Sequence, residues 1–180
     1  ELIKAFAVAL RPICPSQYVA APDINTGEKE MAEFAMANGS TKSCTGKPAT
    51  MCVAPGVECG IPHEYGSTGF GVYHATLVAV DHMKKKIKGM SVAIEGFGNV
   101  GTFAADYLTK AGAKIVATSD SKGCIYNKDG LDYKVLMATK QKTGSVTNYK
   151  PGKILPSEEI FELDVDILIP GALPDVITGG

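Results

Sequence analysis

Between an apolar run, Ser91-Val-Ala-Ile94, and an amphipathic segment, Val100 to Ala111, stands Gly96-Phe97-Gly98-Asn99-Val100-Gly101. A second apolar run, Lys114 to Ser119, follows. Few folds accommodate that order. A G-x-G-x-x-G turn between a strand and a helix needs a tight bend at Gly96, bare backbone at Gly98 and a close helix–strand approach at Gly101. The first amides of the helix then point outward with the positive end of its dipole, and together they hold a pyrophosphate without a side-chain cation. The flanking elements favour a dinucleotide site over a Gly-rich packing turn.

Strand and helix patterns continue to alternate downstream. Tyr126 to Gly130 reads as a hairpin or tight turn, Leu131 to Gln141 as a helix, and Lys142 to Pro156 as a polar connection. Ser157 is placed to cap a short helix with an acidic first turn, and Val165 to Ile169 reads as a third strand. This alternation predicts an α/β, Rossmann-like doubly wound domain with a parallel sheet and covering helices. Upstream, Leu2 to Leu10 reads as the end of an amphipathic helix, Tyr18 to Ala21 as extended, and Glu28 to Ala37 as a helix closed by Asn38-Gly39. Residues 39–66 show no regular pattern and read as a loop, a junction or a cleft lining. Phe70, Tyr73, Leu77, Val80, Met83 and Ile87 recur at helical spacing, with Lys84 to Lys88 at the C-terminal end and Gly89 as the stop.

Composition closes other routes. The 18 Lys+Arg and 19 Asp+Glu of the 180 residues give a net charge of −1, which offers no attraction to nucleic acid or an anionic membrane. At 45% hydrophobic the chain is too apolar to stay disordered, yet it has no apolar run of the ~20 residues that a transmembrane helix needs. Its five cysteines (Cys14, Cys44, Cys52, Cys59 and Cys124) are odd in number and irregularly spaced. That usage, with no secretory leader, predicts reduced thiols and a cytoplasmic protein. Cys44, Cys52, Cys59 and His63 are spread too widely for a typical zinc site, His74 and His82 fall on a helix, and no metal is expected.

The second strand pattern ends at Asp120, a residue type suited to a ribose 2′-hydroxyl and hence to NAD. Ser121 and Lys122 follow, and a hydroxyl and an ammonium there suit a 2′-phosphate, tilting the cofactor from NAD toward NADP. Lys122 reads equally well as a solvated turn lysine.

Six segments, in order, carry a wider resemblance: Tyr18-Val-Ala-Ala-Pro-Asp-Ile-Asn-Thr26, Thr45-Gly-Lys-Pro48, Ser67-Thr-Gly-Phe-Gly-Val72, Val92 to Gly101, Ser119-Asp-Ser-Lys-Gly123 and Ile169-Pro-Gly-Ala172. The chain resembles the glutamate, leucine, phenylalanine and valine dehydrogenases, and most of all the glutamate members. The resemblance implies reversible NAD(P)-dependent oxidative deamination of an L-amino acid. Glutamate, 2-oxoglutarate and ammonium are the implied small-molecule partners, and the full-length family forms homo-oligomers, usually hexamers. It implies residues 1–60 as the end of a substrate domain and 61–180 as an incomplete dinucleotide domain. The family's lysine-bearing segments would lie upstream of Glu1. By position, Asp23 matches the catalytic aspartate, and Ala21 and Thr45 border the substrate. Thr68 lies beside the nicotinamide, Gly96 to Gly101 at the pyrophosphate, and Asp120, Ser121 and Lys122 at the adenosine ribose. Ala172 lies under the nicotinamide ribose. On its own, Asp23 reads as a turn or capping carboxylate after Pro22. The sequence departs from the family at Met51 to Tyr65, where extra residues stand and an expected Arg is missing, and at Pro174-Asp175. Two alternatives stay open: an isolated fragment that binds a dinucleotide without turnover, and a leucine, phenylalanine or valine dehydrogenase.

Overall fold

A computed structural model describes residues 1–52 and 61–177. Cys59, the expected 60/61 boundary and the terminal 178–180 lie outside or at the edge of these described residues. The chain divides into two compact units, Glu1–Ser67 and Thr68–Gly180.

The first unit is built on two helices, α1 (Leu2–Ala9) and α2 (Glu28–Asn38). Apolar residues at helical spacing close its core: Ala7, Met31, Phe34 and Ala35 are buried, and Phe6 meets Phe34 edge-on at 6.0 Å. The buried Asn38 amide donates to the Ala7 carbonyl at 3.0 Å, so its polarity is satisfied inside the pair. Gly39, at φ 88°, ends α2 in the left-handed conformation that favours glycine. Tyr18 to Ala21 forms no strand; among the described residues it pairs through a parallel bridge from Ala20 to Cys44.

The second unit opens with α3 (Ser67–His82). It stops earlier than its apolar spacing predicts. Lys84 adopts φ 57°, and the Lys85 amide returns to the Val80 carbonyl at 3.0 Å, so the chain turns at the first lysine of the run rather than at Gly89. The turn lets Ile87 pack on the core of the sheet.

That sheet comprises β1 (Ser91–Glu95), β2 (Lys114–Asp120), β3 (Gly123–Tyr126), β4 (Lys153–Leu155) and β5 (Ile167–Pro170), in the order β4-β3-β2-β1-β5. Strand β1 pairs in parallel with both β2 and β5, while β3 pairs antiparallel with β2 and β4. The sheet is therefore mixed, not wholly parallel. Only Ser121 and Lys122 separate the paired Asp120 and Gly123, and so short a link permits a hairpin but no crossover. Strand β4 arises inside the expected polar connection because β3 supplies its partner. Two helices, α4 (Asn99–Lys110) and α5 (Tyr133–Thr143), accompany the sheet. Val92, Ile94, Ile115 and Ile125 share one buried cluster with Ala104, Leu108 and Leu136 of these helices. Ala93, Ala117 and Cys124 point the other way, toward Ile160 in a 3-10 turn over Ser157–Glu162. Ser157 does not cap this turn; its hydroxyl donates to the Asp120 carbonyl at 3.1 Å.

The chain leaves β1 toward β2 on one side, and β5 lies on the other. That reversal is a topological switch point, and it puts the carboxyl end of β1 where open α/β sheets bind ligands. Among the described residues, no helix is long and apolar enough to cross a membrane.

Candidate dinucleotide and carboxylate sites

The bend after β1 divides its labour among three glycines. Gly96 is buried at φ 88°, and a Cβ there would sit 2.6 Å from the Ala172 Cβ. Gly101 is buried, and its Cβ would meet the Gly96 carbonyl oxygen at 1.9 Å. Gly98 is exposed, with open space where its Cβ would stand. Two glycines thus close the turn and the third leaves a bare backbone beneath open space at the start of α4. The first-turn amides of a helix have no acceptor within the helix itself. The Gly96 amide is spent on Ser119 Oγ at 3.2 Å, which ties the bend to β2. The Phe97 side chain is 3% exposed and lies in the core cluster, so it offers a ligand only its backbone. Asn99 and Val100 are half-buried on the first turn.

Thr68 is exposed on the first turn of α3. Its neighbour Gly69 packs so tightly that a Cβ would meet the Phe103 Cβ at 2.6 Å and the Val100 carbonyl at 2.7 Å. The two helix starts therefore touch, and Thr68 stands beside the bend. Ala172, exposed after β5, approaches Gly96 closely.

At the end of β2, the Asp120 carboxylate is nearly saturated. Oδ1 accepts from the Lys122 amide at 2.9 Å and Ser145 Oγ at 3.1 Å; Oδ2 accepts from Lys140 Nζ at 2.9 Å and the Val146 amide at 2.8 Å. Its side chain is 7% exposed. Burial alone would raise its pKa, but the Lys140 hydrogen bond and the two amides outweigh burial and hold it below the ordinary carboxylate range. Ser121 and Lys122 stay exposed at the hairpin tip.

The lowered pKa makes a stability prediction. Asp120 supports the fold fully above about pH 4, its unfolded range. That support is lost as pH falls through the lower folded-state value. Asp120→Asn should destabilise the second unit at pH 7 by about 2–3 kcal/mol. It should also flatten the acid limb of stability, as urea melts from pH 7 down to 3 would record.

In the first unit, the bridge between Ala20 and Cys44 aligns two segments. The Thr45 amide donates to the Ala20 carbonyl at 2.8 Å, and the Ala20 amide to Ser43 at 3.0 Å. Ala21 and Thr45, both exposed, therefore leave the bridge side by side, and Asp23 follows two residues after Ala21. Thr26 clamps the Asp23 backbone: its Oγ1 accepts from the Asp23 amide at 2.7 Å, and both Oγ1 and its amide donate to the Asp23 carbonyl at 2.9 Å. Asp23 Oδ1 accepts from the Ile24 amide at 2.8 Å. The carboxylate thus belongs to a tight turn and is also exposed to solvent.

Lys47, quoted in the Thr-Gly-Lys-Pro motif without a role, is 1% exposed and donates to the Cys44 carbonyl. Burial pushes the Cys44 thiol pKa up, which keeps it protonated and unreactive. Cys14, Cys44 and Cys124 are free, but Cys52 is disulfide-bonded, against the expectation of reduced thiols throughout.

The family model for the glutamate/leucine/phenylalanine/valine dehydrogenases matches residues 59–180. The chain belongs to this family. A glutamate dehydrogenase of Aeropyrum pernix is 40% identical over 168 residues, covering 90% of this chain and 38% of its own length. The NADP-specific glutamate dehydrogenase A1 of Halobacterium salinarum is 36% identical, covering 98% of this chain and 43% of its own length. Among solved structures, the hetero-hexameric glutamate dehydrogenase of Thermus thermophilus matches at a TM-score of 0.75 and 26% identity, over 95% of this chain and 40% of that one. The chain thus spans 38–43% of the length of these curated relatives. As a member of this family, the chain has its Gly-rich bend within the matched residues and Asp23 before them.

Proposed function

We propose that the protein carrying this chain is a glutamate dehydrogenase. It converts L-glutamate, water and NAD(P)⁺ reversibly into 2-oxoglutarate, ammonium, NAD(P)H and a proton. The observation that carries the reading is the bend at the switch point, where open space stands over Gly98 at the start of α4 and Gly96 lies against Ala172. A dinucleotide fits this arrangement: the amides of residues 98–101 would hold its pyrophosphate, with Thr68 and Ala172 toward the nicotinamide. When bound, the cofactor supplies a hydride acceptor.

The chain's own residues do the rest. Ala21 and Thr45 border the substrate. The Asp23 carboxylate moves protons as water adds at the α-carbon and ammonia leaves, work that requires a carboxylate held in place. Thr26 provides that hold through the backbone.

The coenzyme reading tilts to NADP. The relatives carry both NADP-specific and NAD-specific names. Here the Asp120 carboxylate is already committed to four donors, whereas the exposed Ser121 hydroxyl and Lys122 ammonium suit a 2′-phosphate. We also propose a cytoplasmic homo-oligomer of six subunits, the subunit number of the hetero-hexameric structural neighbour.

The test is oxidation of NADPH and NADH by the full-length protein. Oxidation should require both 2-oxoglutarate and ammonium and proceed faster with NADPH, and Lys122→Ala should raise KM for NADPH about tenfold with little effect on NADH. Absence of turnover with any 2-oxo acid of the family would refute the reading.

A further inference from the structure

Glu95 ends β1 immediately before the bend, and the sequence motif gives it no role. It is 7% exposed. Its Oε2 accepts hydrogen bonds from the Gly171 amide at 3.0 Å and the Ala172 amide at 2.8 Å, and the Glu95 carbonyl accepts from Gly171 at 3.0 Å as well. These amides belong to the loop that leaves β5, where Glu95 is paired in register with Pro170. The loop itself is open to solvent at Ala172 and Leu173. A buried carboxylate is thus committed to holding an exposed loop. Sheet pairing accounts for Gly171, whose amide closes the ladder on the Glu95 carbonyl, but it does not reach Ala172, whose amide is held by the carboxylate. The loop it holds presses Ala172 against Gly96, so closely that a Cβ on Gly96 would lie 2.6 Å from that of Ala172.

We propose that Glu95 is a positioning residue that fixes the Gly171–Ala172 loop as the floor of the nicotinamide half of the dinucleotide site. The inference rests on the proposed function, because the nicotinamide half exists only if a dinucleotide binds. Two features separate this role from simple support of the fold. It acts on one half of the ligand, since the adenosine half lies at the end of β2 and owes nothing to residues 171–172. It also depends on an acceptor at Oε2 and not on charge, because a glutamine oxygen accepts the same two amides.

Calorimetric titration of the full-length protein tests both features. The probes are NADPH and its adenosine half, 2′,5′-ADP, with NADH and ADP as the matching pair if the wild type prefers NAD. Glu95→Ala removes the acceptor of the Ala172 amide and leaves the Gly171 amide only the backbone carbonyl of residue 95, so the loop loses its side-chain tie; it should weaken the whole dinucleotide about tenfold or more, with the adenosine half held within about twofold. Glu95→Gln should restore dinucleotide affinity to within about threefold of wild type. Glu95→Asp keeps the charge but is one methylene short of the two amides. It should reproduce the alanine pattern, and it keeps the test intact if Glu95→Ala does not fold. Unchanged dinucleotide affinity in both Glu95→Ala and Glu95→Asp would overturn the proposal. So would equal weakening of the two probes, or a glutamine variant as weak as alanine. A wild type that binds neither probe would instead overturn the dinucleotide reading, and this inference with it.

Discussion

Asp23→Asn is expected to lower kcat of the full-length protein by about 10²–10⁴-fold while leaving its affinity for the dinucleotide within about twofold. The substitution separates two roles that the structure superimposes on one residue. As a turn residue, Asp23 works mainly through its backbone, whose amide and carbonyl are both bound by Thr26. Its side chain adds one acceptor, Oδ1, for the Ile24 amide. Asparagine preserves all of this, since its amide oxygen accepts the same bond. What it cannot do is take up and return a proton near neutral pH. A large loss of rate with an unchanged melting curve therefore assigns the proton-transfer role to the carboxylate. A small loss would assign Asp23 to the turn and place the proton transfer elsewhere.

Gly101→Ala should act on the fold itself. The added Cβ would lie 1.9 Å from the Gly96 carbonyl oxygen, 3.0 Å from its carbon and 3.3 Å from Ile94 Cγ2. The first two atoms are backbone of the bend, held by Gly96 at φ 88° and by the bond from its amide to Ser119. No flexible side chain is available to yield, so either α4 lifts off β1 or the bend opens. The expected cost is about 3 kcal/mol, at the upper end for overpacking. Both denaturant melting and dinucleotide binding should record it. A variant of wild-type stability would mean that α4 does not approach β1 as closely as described.

The pattern of legible and illegible features has a physical basis. Strands β1, β2 and β5 and helices α4 and α5 stand out because each carries its own apolar period, with punctuation such as Gly112 after α4. Strands β3 and β4 carry neither; Lys153 to Leu155 becomes a strand only because Cys124 to Tyr126 lies beside it. The end of α3 was misplaced because a lysine, not a glycine, takes the left-handed turn. The glycines of the bend were readable because each answers a local steric demand. The state of Asp120 was not readable, because three of its four donors come from residues 140, 145 and 146, distant in sequence. Glu95 was hidden for the same reason: its partners lie 76 and 77 positions downstream. Side chains that act through long-range hydrogen bonds leave no periodic trace.

The central claim is that the bare backbone at Gly98 receives a pyrophosphate. Gly98→Val tests it most directly, because among the described residues nothing beyond the neighbouring backbone lies within 4 Å of the added Cβ. The backbone there, at φ −92°, also suits an ordinary residue. Valine should therefore cost no more than about 1 kcal/mol of stability, as a poorer helix cap than glycine. Calorimetric titration of the full-length variant beside wild type should show NADPH binding weakened by about a hundredfold or more, with the melting transition nearly unmoved. Equal affinity in the two proteins would contradict the account.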